Sequence, residues 1–212
     1  WSDGENTCGN PTPVIDHQTG RIWLFLTWNH GDDNETQIIH KKSKFPRLPY
    51  LSFSDDDGLT WSEPKNINDS CRNPSWGWYA TGPGVGIQIK KGKFKGRLVI
   101  PSNHSYDDIN GEIRNGPFNY GAHVLFSDNN GSSWEISDSI FPGCNESQIV
   151  ELENGDLMMN MRSYNNQFSR AYSVSNDGGY SWSKIKHDYQ LVESKCQASI
   201  LNYGMFNKKN MY

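Results

Sequence analysis

Short apolar runs separated by stretches rich in Gly, Asn, Asp and Ser recur along the whole chain. Their period is two, as a half-buried strand requires, and no stretch holds the 3.6-residue stripe of an amphipathic helix. Ile22, Leu24, Leu26 and Trp28 alternate with Trp23, Phe25 and Thr27. The runs fall into sets of four. The first is Thr12–Asp16, Arg21–Trp28, Leu48–Ser54 and Thr60–Ile67. The second is Gly84–Lys90, Gly96–Pro101, Gly121–Ser127 and Ser133–Ser137. The third is Glu146–Leu152, Asp156–Arg162, Arg170–Ser175 and Ser181–Lys186, with a further strand expected near Gln197–Asn202.

Each set carries the same turn before its fourth run. Ser54-Asp55-Asp56-Asp57-Gly58-Leu59-Thr60-Trp61 returns as Ser127-Asp128-Asn129-Asn130-Gly131-Ser132-Ser133-Trp134 and as Ser175-Asn176-Asp177-Gly178-Gly179-Tyr180-Ser181-Trp182. Trp1-Ser2 resembles the tail of a fourth copy. In such a turn Asp or Asn accepts backbone N–H groups, Gly takes the left-handed position, and Trp fills the space beneath. Four strands per repeat is the mark of a β-propeller; a β-sandwich has no reason to repeat one turn after every third strand. Strands of a meander alternate in direction, so the repeated turn opens on one face. The connections His30–Arg47 and Ser102–Tyr120 open on the other, and connections that long are usually functional.

That second face gathers the candidate chemistry. Asn154-Gly155 between apolar runs marks a tight hairpin. With a three-residue loop Glu153-Asn154-Gly155, Glu146 lies across from Arg162; a two-residue loop would set them on opposite faces. By itself such a pair reads as a surface ion pair worth about 0–1 kcal/mol. Asn10, Glu35, Asn103, His104 and Gln197 share its face, at strand entries or in the long loops.

Composition narrows the partners. The chain has 212 residues, a net charge of −4 and no long basic run, which argues against nucleic acid and anionic membranes. No apolar run reaches the ~18 residues of a membrane span. Eight tryptophans and 13% aromatic residues suit a β-rich protein with ring-lined surfaces. Cys8, Cys71, Cys144 and Cys196 form no C-x-x-C, so zinc is not indicated, and they read as buried thiols, although Cys144 and Cys196 could be neighbours. Asp55-Asp56-Asp57 lacks the spacing of a calcium loop, so no metal or cofactor is expected. Sequons at Asn34, Asn68, Asn103, Asn130 and Asn145 carry little weight, and a glycan on Asn145 would crowd Glu146. Trp76, Trp78 and Tyr79 suit a sugar-stacking rim or a packed linker equally, and Lys90–Lys95 reads as a solvated hairpin tip. His104 and His123 read more readily as scaffold than as catalysts.

The repeated turns resemble the Asp boxes of the exo-α-sialidase (neuraminidase) family. Gly9-Asn10-Pro11-Thr12-Pro13-Val14-Ile15-Asp16, Gly82-Pro83-Gly84, Gly96-Arg97-Leu98-Val99-Ile100-Pro101 and Cys196-Gln197-Ala198-Ser199 are similar to its blade-linking motifs, in order. The resemblance covers Trp1 to about Tyr203. It implies a six-bladed propeller, here about three whole blades plus edges, forming one partial domain over 1–212. It further implies a retaining glycosidase that releases terminal sialic acid from glycoproteins, gangliosides or oligosaccharides. Glu146 then matches the base that activates a tyrosine nucleophile, and Arg162 the middle arginine of three that grip the sugar carboxylate. Asn10, Glu35, Asn103, His104 and Gln197 would line the pocket for the N-acyl and glycerol arms. The family's acid, nucleophile and other two arginines match nothing between Trp1 and Tyr212, so the chain reads as a central fragment, inactive alone. A secreted, periplasmic or cell-surface address is favoured over a lysosomal or cytoplasmic one. The rival reading is a non-catalytic Asp-box propeller that binds carbohydrate or protein.

Overall fold

The computed structural model describes residues 1–112, 118–206 and 209–211, with side chains described as far as residue 204. It is all-β. The first sheet runs β1 (Thr7–Ile15), β2 (Ile22–Asn29), β3 (Leu48–Ser54) and β4 (Lys65–Asn66), each antiparallel to the next. Helix α1 (Glu35–Ile39) sits between β2 and β3, and α2 (Asn68–Cys71) follows β4. In the second sheet an interrupted inner strand, β5 (Tyr79–Thr81) and β6 (Ile87–Gln88), pairs with β7 (Leu98–Asp107). Strands β8 (Phe118–Ser127) and β9 (Glu135–Ile136) complete that sheet. The third is β10 (Cys144–Glu151), β11 (Leu157–Ser163), β12 (Ser169–Ser175) and β13 (Lys186–Val192), and a short pair β14 (Gly204–Phe206) and β15 (Lys209–Met211) ends the chain. Three meanders in sequence order are the blades of a propeller, and each sheet is open at its edges.

The blades stack because β7 and β8 are apolar on both faces. Leu98, Ile100 and Leu125 meet Val14, Phe25 and Trp134 in one core cluster. Val99, Val124 and Phe126 meet Ile149, Leu157 and Met159 in the other. A strand buried on both sides reads as a continuous apolar run, which is what Leu98–Ile100 shows.

The repeated corners form as their chemistry dictates. Ser54 Oγ, Ser127 Oγ and Ser175 Oγ each accept the N–H of the glycine four residues on, at 2.9, 2.9 and 2.8 Å. Asp56, Asn129 and Asp177 each accept the N–H of Thr60, Ser133 and Ser181. Asp57-Gly58, Asn130-Gly131 and Gly178-Gly179 all have positive φ, a conformation that Asp, Asn and Gly tolerate best. The corners also join blades. Trp23 Nε1 donates to the Asn130 carbonyl at 3.1 Å, and Arg97 Nη1 donates to the Gly178 carbonyl at 2.9 Å. The tryptophans behave unequally: Trp134 is 6% exposed, but Trp61 is 42% exposed. Trp61 donates to the Gly58 carbonyl instead of filling a core.

Several expected boundaries move. The strand expected over Thr60–Ile67 shortens to β4, and that over Ser181–Lys186 gives way to β13, which begins where the expectation ended. Residues 197–203 form no strand. Much of the expected Ser102–Tyr120 loop is strand, since β7 runs to Asp107 and β8 starts at Phe118; its residues 113–117 lie outside the described part. The polar run Ser102-Asn103-His104 hides the strand because its side chains are buried against other polar and aromatic groups, so hydrophobic alternation never shows. Cys71 and Cys144 are buried thiols as read, Cys8 is partly covered, and Cys196 is exposed, all four unbridged. Asn103 and Asn145 are buried, which removes those two sequons from consideration.

Candidate functional site

All three inner strands break at one level. In β1 the register shifts between Gly9 and Thr12, so Asn10 and Pro11 oppose Leu26 alone. In β10 it shifts between Cys144 and Ser147, so Asn145 and Glu146 oppose Arg162. Between β5 and β6 the chain leaves the ladder after Gly82, whose N–H still reaches the Pro101 carbonyl at 2.8 Å, and rejoins it at Ile87. Bulges re-aim side chains, and they gather at barrel rims and beside sites. Bonds run directly between the three breaks: Thr81 Oγ1 donates to the Asn10 carbonyl at 2.7 Å, and Ser147 N to the Gly82 carbonyl at 3.3 Å. Gly82 and Gly84 permit this approach. A Cβ on Gly84 would lie 2.1 Å from Gln148 Oε1.

The hairpin closes through the three-residue loop. Leu152 N donates to the Asp156 carbonyl at 2.8 Å, and Gly155 has φ +87. Ser147 pairs with Met161, as counting outward requires, and the bulge then lets Glu146 turn toward Arg162. Arg162 Nη1 donates to Glu146 Oε2 at 2.8 Å, and each side chain keeps about a quarter of its surface, 25% and 22%. The third corner begins at Ser175, paired with Leu157 at the hairpin end of the blade, whereas Arg162 lies at the opposite end. The ion pair and the corners are therefore on opposite faces.

Around this pair the structure builds a circuit the sequence did not reveal. Arg162 Nη2 donates to the Tyr164 hydroxyl at 2.6 Å. Tyr164 stacks on Tyr120 with ring centroids 5.0 Å apart, and the Tyr120 hydroxyl donates to Glu35 Oε1 at 3.4 Å. Glu35 is held there by α1, whose Asn34–Gln37 capping box sets the first turn and whose Ile38 and Ile39 are buried. Asp33 closes the same loop by accepting the N–H groups of Lys44 and Phe45 at 2.8 and 3.2 Å. Arg47, at the loop's end, donates through Nη2 to Asn10 Oδ1 at 2.6 Å and to Thr27 Oγ1 at 2.8 Å. Its guanidinium lies 4.0 Å from the centre of the Trp78 ring.

The charges feel one another. Burial lowers the Arg47 pKa to about 10, against the fields of Glu35 and Glu146. Burial also opposes the Arg162 charge, but the bond to Glu146 and the neighbouring Tyr164 outweigh it and the pKa rises. Burial pushes the Tyr164 and Tyr120 phenols up, so both are neutral hydroxyls near pH 7. Behind Arg162 stands a buried cation, Arg170. It donates to Asn160 Oδ1, Glu193 Oε2 and the Cys196 carbonyl at 2.7, 2.7 and 2.8 Å. It thereby holds the segment that carries Gln197, whose Nε2 donates to the Pro83 carbonyl.

Of the residues singled out in the sequence, Asn10, Glu35, Glu146 and Arg162 come together, and Gln197 reaches the same level from an irregular segment. Asn103 and His104 do not join them at the surface. They lie within β7 at 0% and 1% exposure. His104 stacks on Trp76 at 3.7 Å, and its Nδ1 is 3.0 Å from His123 Nδ1. They are scaffold beneath the site, and Trp76 and Tyr79 are packed with them; only Trp78 is partly open. Arg47, Tyr120, Tyr164 and Arg170 were missed because each follows or starts an ordinary apolar run, where nothing in spacing marks it.

The BNR repeat-like domain model matches residues 1–207. The chain belongs to the BNR repeat-like family. A sialidase of Bacteroides fragilis is 31% identical over 207 residues, covering 94% of this chain and 35% of its own length. An exo-alpha-sialidase of Aspergillus fumigatus is 29% identical over 213 residues, 95% of this chain and 46% of that protein. Among solved structures, a Hadza microbial sialidase superposes with a TM-score of 0.77 at 32% identity, covering 94% of this chain and 37% of that one. The intramolecular trans-sialidase of Ruminococcus gnavus shares the fold at a TM-score of 0.75 and 18% identity, covering 99% of this chain and 60% of that one. The BNR chain thus spans about a third to a half of the length of these curated relatives.

Proposed function

We propose that this chain is part of an exo-α-sialidase, a retaining glycoside hydrolase that releases terminal sialic acid from glycoproteins, gangliosides or oligosaccharides. The observation that carries the reading is the Glu146–Arg162 pair, bridged at 2.8 Å on the face opposite the corners. Relatives named sialidase or exo-alpha-sialidase across most of the chain support it.

The geometry suits the roles. Arg162 donates one N–H of each terminal nitrogen, to Glu146 and to Tyr164, which leaves one on each for charge-assisted bonds to a sugar carboxylate. Glu146 has Oε2 on Arg162, while Oε1 has no hydrogen-bond partner among the described residues. That oxygen is available to take a proton from a hydroxyl nucleophile, which at a phenol's ordinary pKa of about 10 needs a base beside it. Asn10, Glu35 and Gln197 then contact the ligand's polar arms. Asn103 and His104 act beneath them, through packing.

The test is made on the full protein that carries this chain, with a fluorogenic sialoside. Glu146→Ala lowers kcat on the order of 10²–10⁴-fold. Arg162→Ala weakens binding of free sialic acid in calorimetry. Activity untouched by both substitutions overturns the assignment. No observation in the structure favours the binding-module reading over this one.

A further inference from the structure

Asn10 sits at a β-bulge with φ +52, and every acceptor it has is already engaged by the protein. Its backbone carbonyl accepts Thr81 Oγ1 at 2.7 Å. Its side-chain oxygen accepts Arg47 Nη2 at 2.6 Å. The two ends of an Asn amide are interchangeable in shape and opposite in hydrogen-bonding character. Arginine has donors only, so it admits the oxygen end and excludes the nitrogen end. Arg47 cannot drift away, because it is 5% exposed, donates to Thr27 Oγ1 and lies over Trp78. The Asn10 nitrogen consequently has no protein partner among the described residues. Asn10 is only partly buried, so that nitrogen is left at the accessible end of the side chain. Thr81 and Gly82 link this bulge to the one bearing Glu146.

We infer that Arg47 is a positioning residue that fixes the polarity of the Asn10 amide, making Asn10 a donor-only specificity element that selects an acceptor oxygen, carbonyl or hydroxyl, on the ligand. The inference rests on the sialidase reading for the identity of the ligand, not for the orientation of the amide. A ligand group that must itself donate, such as an ammonium, meets the wrong end of Asn10. The arrangement needs no movement on binding, since the amide is oriented before any ligand arrives.

The experiment compares Asn10→Asp, Arg47→Gln and Arg47→Lys with the unaltered full protein in steady-state sialoside hydrolysis, after thermal melts identify the folded variants. Asn10→Asp keeps the shape and replaces the donor by an acceptor; it raises KM about three- to tenfold with little change in kcat. Arg47→Gln, which can accept as well as donate, frees the amide to turn and raises KM similarly. Arg47→Lys, again donor-only, restores KM toward the original value. Unchanged KM in folded Asn10→Asp and Arg47→Gln, or Lys failing as Gln does, overturns the inference while leaving the sialidase reading intact. Absence of any turnover by the unaltered protein overturns that reading instead. Neutron diffraction of the sugar-free protein then decides the amide directly: deuterium on the Asn10 atom turned away from Arg47 sustains the inference, and oxygen there ends it.

Discussion

Arginine does three different jobs in this chain, and burial decides which. Arg21 bridges Asp55 through two bonds of 2.7 Å, with side chains 32% and 56% exposed. Exposed pairs of this kind contribute about 0–1 kcal/mol, so Arg21→Ala shifts the urea midpoint little. Arg170 and Glu193 are 6% and 3% exposed, and removing one partner strands a buried charge. Arg170→Met therefore costs about 3–5 kcal/mol in urea unfolding. In the complete protein it also raises KM, because the segment bearing Gln197 is released. Arg162 lies between these extremes, partly open, which suits the ligand-binding role proposed for it.

At the scale of elements, the repeated corner is both a turn and a joint. Gly131 has φ +84, and a Cβ there would lie 2.3 Å from the Trp23 ring of the preceding blade. Gly92 has φ +68 and open space around it. Gly131→Ala and Gly92→Ala thus share the backbone penalty of about 1–2 kcal/mol, and only the first adds an overlap between blades. Thermal melts are expected to show Gly131→Ala as clearly the more destabilised. The same logic of position governs the inner strands. Their bulges lie opposite the corners, so blades are joined at both faces: through the corners on one, and through Thr81 to Asn10 and Ser147 to Gly82 on the other.

Across the whole molecule, a buried imidazole pair ties stability to pH. Burial holds His123 down to about 3 and His104 well below its usual value, with the His123 charge also opposing His104. Both are neutral in the fold, whereas unfolded histidine titrates near 6.5. Their contribution is complete above about pH 6.5 and is lost as pH falls below it, at up to roughly 1.4 kcal/mol per pH unit for each ring. Urea midpoints measured from pH 7.5 to 5 should fall, and His123→Gln should flatten that slope. A slope unchanged by the substitution would place the dependence elsewhere. Among the described residues no helix is long and apolar enough to cross a membrane.

The amino-acid sequence alone determined the blade count within this chain and the corners, and it narrowed the hairpin to two loop lengths, of which only the three-residue one faces Glu146 toward Arg162. All of these are local: a turn motif and a period of two specify them without reference to distant chain, and the structure then selected the three-residue loop. The sequence misplaced Asn103 and His104, because a polar strand buried among aromatic rings lacks the alternation that betrays a strand. It could not find Arg47, Tyr120, Tyr164 or Arg170, whose significance comes from partners such as Asn10, Glu35, Arg162 and Glu193. Arg47 meets Asn10 across 37 positions and Tyr120 meets Glu35 across 85. Only the stacking of blades and the bulges at one shared level bring such groups within hydrogen-bonding reach, and that is a decision of the tertiary fold.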